Sequence, residues 1–296
     1  MFDLRDMQLV DALVRHGHFA RAAESCGISQ PAFSARIRKL EADLDTPIVN
    51  RGNRFLGLTP EGEIVLSWAR RLLADADAMR QEIEAARGAL SGRLTLGVVP
   101  SALAYAARLP ERVRAEHPGL KLAVHSASSS AILRGLDDFT FDAGISYLGE
   151  EIPADVFTVK LYDERYELLV PEELLGDVPN KTGKMSWADA ARLPLSMLTP
   201  DMRNRRILNE VFAGLGVTPN VAFETNAITA MLAHASEGAA ATIAPEILVD
   251  TLRLSGNLRR LELVEPFVTK PIGLISLKRD VVPPALAALR ALVGNR

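Results

Sequence analysis

The sequence predicts an α/β protein carrying a small helical head, and three observations predict it. Residues 4–44 repeat apolar side chains at steps of three and four, the period of helices. Residues 61–90 keep that period over about thirty positions, longer than an ordinary globular helix. From Arg93 onward short apolar runs alternate with helical segments, the order that builds a parallel sheet covered by helices. Composition is that of a globular chain, 48% hydrophobic and 24% charged, and 296 residues suffice for two or three domains. The net charge of −3 means that any nucleic-acid contact must come from a local basic surface.

In the head, Leu4, Met7, Val10, Leu13 and Val14 define a first helix that stops near Gly17. FARAAESC fits a second, with Phe19, Ala22, Ala23 and Cys26 inward. Gly27 suits the left-handed position that ends a helix, because it has no Cβ to clash. Ser29 then caps a third helix with Pro31 in its first turn. Helix, glycine turn and capped helix make a helix-turn-helix. Phe33, Ile37, Leu40 and Leu44 form the buried stripe of the third helix, leaving Gln30, Ser34, Arg36, Arg38 and Lys39 around its outer side. Such a helix fits the major groove of B-DNA. Ile48-Val49 and Phe55–Leu58 bracket Arg51-Gly52-Asn53-Arg54, a β-hairpin wing whose arginines could meet phosphate or a minor groove. Thr59-Pro60 caps the long helix. Its seam of Val65, Trp68, Leu72, Met79, Ile83, Ala86 and Leu90 asks for a partner helix, although Asp75 interrupts it. Gly88 and Ser91-Gly92 mark a hinge.

The run AAESCGISQPAFSARIRKLEADL, followed by Pro47, Arg51 and LTPEG, resembles the winged helix-turn-helix of LysR-type transcriptional regulators. Ala22, Ala23, Ser29, Gln30, Ser34, Ile37, Leu40, Glu41, Leu44, Pro47, Arg51, Leu58, Thr59 and Gly62 fall in register with that family's pattern. Cys26, His18, Asp45 and Val49 depart from it, replacing leucine, a capping serine, glycine and phenylalanine. The resemblance implies a DNA-binding domain at 1–60, a linker and dimerisation helix at 61–90, and an effector-binding domain at 91–296. Ser29, Gln30, Pro31, Ser34, Arg36, Arg38, Lys39, Arg51 and Arg54 would meet DNA. It also implies a type-2 periplasmic-binding-protein-like regulatory domain of two α/β lobes, 92–161 plus 270–296 and 162–269.

In that domain RLTLGVV, LKLAVHS, DAGISYL, FTVKLY, YELLV, LPLSML, VAFET, AATIAP and PIGLISL read as strands, with SALAYAARLPERVRAEH as one helix among several. Polar residues gather after them: Ser101, Ser128, Thr199, Arg203, Asn204, Thr225 and Asn226 are the candidate effector contacts. Each polar residue also serves as an ordinary helix cap or turn residue. Arg203, Arg205 and Arg206 cannot all be exposed on one helix, and a buried arginine wants a carboxylate. The expected effector is a small anion, such as a carboxylate.

Other function classes fit less well. A cytosolic solute-binding protein without DNA regulation leaves the winged head unexplained. For an enzyme there is neither a Gly-x-Ser-x-Gly elbow nor a phosphate loop, so no catalytic residue is assigned. His16, His18, His117, His125 and His234 lack metal-ligand spacing, and no metal or cofactor is expected; His125 and His234 read as packed or surface residues. Cys26, the only cysteine, permits neither an intrachain disulfide nor two-cysteine peroxide chemistry. With no signal-peptide core and no run of roughly 18 apolar residues, the expected location is cytoplasmic. Expected partners are promoter DNA, a small-molecule effector, further copies in a homodimer or homotetramer, and RNA polymerase, with no membrane.

Overall fold

Three helices begin the chain: α1 (Leu4–His16), α2 (Phe19–Ser25) and α3 (Gln30–Leu44). Each starts where a side chain meets a backbone N–H that the helix itself leaves unpaired. At α1 the Asp3 carboxylate accepts from the Asp6 N–H and the Asp6 carboxylate from the Asp3 N–H, both at 3.0 Å. This is a reciprocal capping box. At α2 the Nδ1 of His18 accepts from Ala20 N at 3.2 Å, so an imidazole does what serine was expected to do. At α3 Ser29 Oγ accepts from Ala32 N at 3.4 Å. Gly27, at φ 68°, makes the left-handed turn between α2 and α3. Asp45 ends α3 with the same hand, at φ 51°, where family relatives were expected to carry glycine.

The computed structural model describes residues 2–51, 55–175, 183–252 and 258–294, and the chain divides into two units, the first made of Met1–Leu90 with Asp137–Thr140 and Val282–Pro284 and the second of the rest. In the first, Leu9, Leu13, Ala22, Ala23, Phe33, Ile37, Leu40 and Ile48 form the core, and Cys26 packs against it half-buried, as expected. The Phe19 ring meets Phe33 and Phe55 edge-on, at 6.0 and 6.2 Å. β1 (Val49–Arg51) and β2 (Phe55–Leu58) pair antiparallel as the wing. Arg54 and the Arg51 side chain lie outside the described residues. Glu41, in the last turns of α3, accepts from Ile48 N at 3.1 Å and Val49 N at 3.3 Å, which fixes the base of the wing.

The long helix α4 (Pro60–Ala86) starts on Thr59, whose Oγ1 accepts from Gly62 N at 2.9 Å and donates to Pro47 O at 2.7 Å. A Cβ on Gly62 would stand 2.1 Å from Ile48 O, so only glycine lets the helix start this close to the wing. Leu66 and Ala69 of α4 are buried, while Ile64, Trp68, Leu72, Met79 and Ile83 are 39–61% exposed. The expected seam is corrected at two places. Val65 turns half-buried onto the core, and Leu90 falls beyond the end of the helix.

The second unit contains β3 (Ser91–Val98), a 3-10 turn at Pro100–Ala102, α5 (Leu103–Ala106), α6 (Leu109–Glu116), β4 (Gly119–Ser126), α7 (Ser129–Asp137) and β5 (Ala143–Tyr147). Next come β6 (Val156–Pro171), α8 (Glu172–Leu175), β7 (Lys184–Ser186), α9 (Trp187–Ala190), β8 (Leu195–Leu198), α10 (Arg203–Gly214) and β9 (Val221–Thr225). It closes with α11 (Ile228–Ser236), β10 (Ala241–Pro245), α12 (Glu246–Leu252), β11 (Leu258–Val264), β12 (Thr269–Leu277) and α13 (Pro284–Gly294). The segment expected as one helix is broken into the 3-10 turn, α5 and α6, with Pro110 in the first turn of the last.

The strand order is β4-β3-β5-β12-β6-β10-β8-β9, with β11 on β6 and β7 on β11. Parallel pairing holds for β4, β3 and β5 and for β10, β8 and β9, as the alternation predicted. β6 and β12 run antiparallel to their neighbours, so the sheet expected to be parallel is mixed. FTVKLY and YELLV also prove to be one 16-residue strand. β12 pairs with Val156–Arg165 of β6, and β10 with Tyr166–Leu169, so the change of partner falls between Arg165 and Tyr166. Gly144 lets α7 lie flat on the sheet: a Cβ there would come 2.3 Å from Ile132 Cγ2. That seating places the serines at the start of α7.

Gly62→Ala should destabilise the head by about 1–3 kcal/mol, the usual cost of forcing atoms into a filled space. Urea unfolding of the full chain would report it, and an unchanged midpoint would show that the Ile48 carbonyl can move aside.

Candidate nucleic-acid interface and ligand cleft

Along α3, Ser29, Gln30, Pro31, Arg38 and Lys39 are exposed and Ser34 is half-buried. At 100° per residue, Pro31, Ala35 and Arg38 lie opposite the Phe33–Ile37–Leu40 stripe. Arg36 lies elsewhere. Its helical position borders the buried stripe, and its guanidinium turns to α1, with Nε 2.6 Å from Asp6 Oδ1 and Nη2 2.7 Å from Asp3 Oδ2. Arg36 was expected on the outer side of α3; instead of standing clear of the fold, it is held by both carboxylates of the capping box. Their effects are mutual. Hydrogen bonding to Asp6 holds the Arg36 guanidinium above its ordinary range. Asp3 lies below the usual carboxylate range, through the Asp6 N–H first and the charge of Arg36 second. Sequence reasoning missed Asp3 and Asp6, although Asp-x-x-Asp at a helix start carries the capping-box spacing.

In the second unit, a narrow cavity of about 10 Å³, room for one water-sized group, is lined by Ser101, Ser128, Ser129, Tyr147, Arg203 and Asn204 with four apolar neighbours. Four predicted effector contacts thus meet: Ser101, Ser128, Arg203 and Asn204. Thr199, Thr225 and Asn226 lie outside that lining. Thr225 Oγ1 accepts from Ala227 N at 3.1 Å, a local turn, and Thr199 N bonds Thr225 O across neighbouring strands. Ser128 Oγ caps α7 through Ala131 N at 3.3 Å. Arg203 lies 3.1 Å from Glu210 and 3.4 Å from Glu151. Arg205 is buried and has the carboxylate that burial requires, Glu224 Oε1 at 2.6 Å. His234 stacks on Phe223 at 4.5 Å, and His125 is exposed.

Beneath the cavity lies a group that sequence reasoning missed. Glu164, on β6, is 1% exposed and accepts from the Tyr147 hydroxyl at 2.6 Å. The same phenol oxygen lies 3.0 Å from Ser101 Oγ and accepts from Asn204 Nδ2 at 3.2 Å. Among the described residues no cation pairs with Glu164. Lys270 faces it in ladder register without forming an ion pair. Burial raises its carboxyl from 4.5 to about 7, against the opposing hydrogen bond from Tyr147. Burial and the nearby Glu164 charge hold the Tyr147 phenol well above its usual range, so it stays protonated.

A head that offers a capped helix with an exposed polar and basic face, joined to an α/β domain with a polar cleft, defines a ligand-responsive DNA-binding protein. A profile described as the LysR substrate binding domain matches residues 87–296, and one described as the bacterial regulatory helix-turn-helix protein, lysR family, matches 4–63. The chain belongs to the LysR family of DNA-binding transcriptional regulators. It is 27% identical over 284 residues to the DNA-binding transcriptional dual regulator OxyR of Escherichia coli (strain K12), covering 92% of this chain and 88% of that protein. It is 30% identical over 303 residues to the SDS degradation transcriptional activation protein of Pseudomonas sp. (strain ATCC 19151), covering 99% and 96%. Full-length CbnR complexed with its target DNA superposes with a TM-score of 0.71 at 25% identity, covering 99% of both chains. A full-length OxyR variant from Pseudomonas aeruginosa gives 0.79 at 22% identity, covering 99% of this chain and 95% of that one.

Arg36→Ala should lower the thermal midpoint of the head by about 2–8 °C, because it leaves the buried Asp6 without its cation. Arg38→Ala should leave that midpoint alone and reduce the salt slope of promoter binding by about one. Calorimetry and a salt titration of affinity separate the two roles. Glu164 adds a pH signature. Its folded-state value lies above its unfolded one, so its contribution is complete below about pH 4.5 and is lost as pH rises towards 7. Glu164→Gln should flatten stability across that window, read as urea midpoints at several pH values.

Proposed function

We propose that this LysR-family regulator binds promoter DNA as a homodimer or homotetramer in the cytoplasm, and alters transcription when a small anionic effector occupies the cleft of its regulatory domain. The observation that carries the effector reading is the convergence of Ser101, Ser128, Arg203 and Asn204 on one cavity from separate elements. Arg203 supplies the positive charge and the serines and amide supply hydrogen bonds. Thr199, Thr225 and Asn226, at the ends of β8 and β9, would meet the more distant part of a larger effector. On DNA, Ser29, Gln30, Pro31, Ser34, Arg38 and Lys39 would face the groove, with Arg51 and Arg54 on the wing. Arg36 would act by holding α3 against α1. The exposed Ile64–Ile83 stripe suits the α4 helix of a second copy, with RNA polymerase as a further partner. Several relatives are named hydrogen peroxide-inducible genes activators. In this chain the only cysteine, Cys26, belongs to the head, so reversible ligand binding is the favoured input to the regulatory domain.

A reporter fused to the promoter beside this protein's gene tests the reading. Arg203→Ala or Asn204→Ala should raise the inducing concentration by roughly tenfold or more, the cost of one lost buried hydrogen bond. Binding of the unliganded protein to promoter DNA should remain. A normal dose response in both variants would move the effector site elsewhere.

A further inference from the structure

Resting on the reading of this cavity as the effector site, we propose that it takes up one oxygen of an anionic head group together with one proton, because Glu164 sets the hydrogen-bonding polarity of Ser101 through Tyr147. The donors and acceptors leave only two arrangements. Tyr147 has one hydroxyl hydrogen. With Glu164 ionised, that hydrogen goes to Glu164 Oε1, and the phenol oxygen accepts from Asn204 Nδ2. The contact at 3.0 Å between Ser101 and Tyr147 must then be donated by Ser101. Ser101 has spent its only hydrogen and offers the cavity lone pairs alone, which repel an anion.

Protonating Glu164 reverses the chain. A proton on Oε1 can be donated to Tyr147, while Oε2 makes no such well-formed bond and has only the weaker interaction of Glu164 with the Tyr166 hydroxyl. Tyr147 then donates to Ser101, and the Ser101 hydroxyl is free to donate into the cavity beside Asn204 and Arg203. One proton on a carboxyl that solvent does not reach thus converts the floor of the cavity from acceptor to donor. An anion bound there favours the protonated state, and by reciprocity the protonated state favours the anion.

The groups facing Glu164 support this balance. Tyr147 on β5, Ser101 on the 3-10 turn and Asn204 on α10 are joined in its hydrogen-bond chain. Tyr162 and Tyr166, on its own strand, bury their hydroxyls, and that of Tyr166 interacts with the Glu164 carboxylate and favours its ionised form. The Tyr105 ring, from α5, packs 5.3 Å from that of Tyr162. Lys270 of β12 stands opposite in register and forms no ion pair with it. Burial, with no cation among the described residues to hold the ionised form, pushes the Glu164 carboxyl up to about 7.

Acetate is the probe. Thermal unfolding of the full chain is followed in sodium acetate against sodium chloride at equal ionic strength, at pH 6 and pH 8, with Ser101→Ala and Glu164→Gln alongside. Acetate should bind about tenfold more weakly at pH 8, as the competent, protonated fraction falls. Ser101→Ala should lose the acetate shift. Glu164→Gln, whose amide can donate to Tyr147 as the protonated acid does, should retain it at both pH values. An acetate shift that is equal at both pH values in the unaltered protein but lost in Ser101→Ala overturns the proton coupling and leaves the effector site standing. No acetate shift, or one that survives Ser101→Ala, overturns the proposal and also weighs against the cavity as an anion site. Loss of the shift in Glu164→Gln, with the fold intact by circular dichroism, overturns the assigned role of Glu164.

Discussion

The regulatory domain depends on one strand serving two groups of neighbours. β6 gives its first ten residues to β12 and then passes to β10 and β11, so one strand is shared by both groups of strands. A strand in that position must satisfy its ladder on both sides of the partner change. It must also fill whatever space opens between the lobes. Glu164, one residue before the last β12 pairing, occupies that space. A carboxyl there is costly to bury as an ion, and the structure offsets this with the Tyr147 hydroxyl and its Ser101 and Asn204 contacts. Ser101 and Tyr147 arise from the first lobe and Asn204 from the second, so the hydrogen-bond chain ties the two halves at the point where the backbone does.

The head solves a comparable problem with charge of the opposite sign. α3 must be held at a fixed angle while presenting an open polar side. Its hydrophobic stripe fixes the buried edge, and the pairing of Arg36 with Asp3 and Asp6 fixes rotation about that edge. Those carboxylates already cap α1, so a single cluster both starts the first helix and orients the third. Glu41 continues the same logic at the other end of α3 by receiving the N–H groups at the base of the wing. Acidic residues in a DNA-binding head act here as internal fasteners.

Much of this was legible in the sequence, for physical reasons. Phe33, Ile37 and Leu40 revealed the buried side of α3 because periodicity is a local property. Gly27 and Ser29 revealed the turn because each fits only a few backbone roles. The carboxylate partners of Arg36 were not legible because they lie about thirty positions away, and the wheel alone cannot tell a boundary residue from an outward one. Glu164 was hidden for a different reason. Tyr-Asp-Glu-Arg reads as a solvated run of charge, and the ladder shifts register between Ile272 and Gly273, opposite Leu161. Such a bulge inverts the alternation of inward and outward side chains, so counting by twos from Phe157, Val159 and Leu161 puts Glu164 on the opposite face, although it is buried. Ser101, Ser128, Arg203 and Asn204 were legible as helix-start residues, but helix starts alone could not separate them from Thr199, Thr225 and Asn226.

The bare stripe on α4 has a consequence for how such a protein would be titrated in the cell. If the exposed apolar side chains from Ile64 to Ile83 pair with those of another copy, assembly is a matter of mass action. The number of competent DNA-binding units then grows faster than the number of chains, roughly as its square while most chains are single. A modest change in synthesis would produce a steep change in promoter occupancy. The helix joining the two domains would thereby act as a threshold detector for the abundance of its own polypeptide.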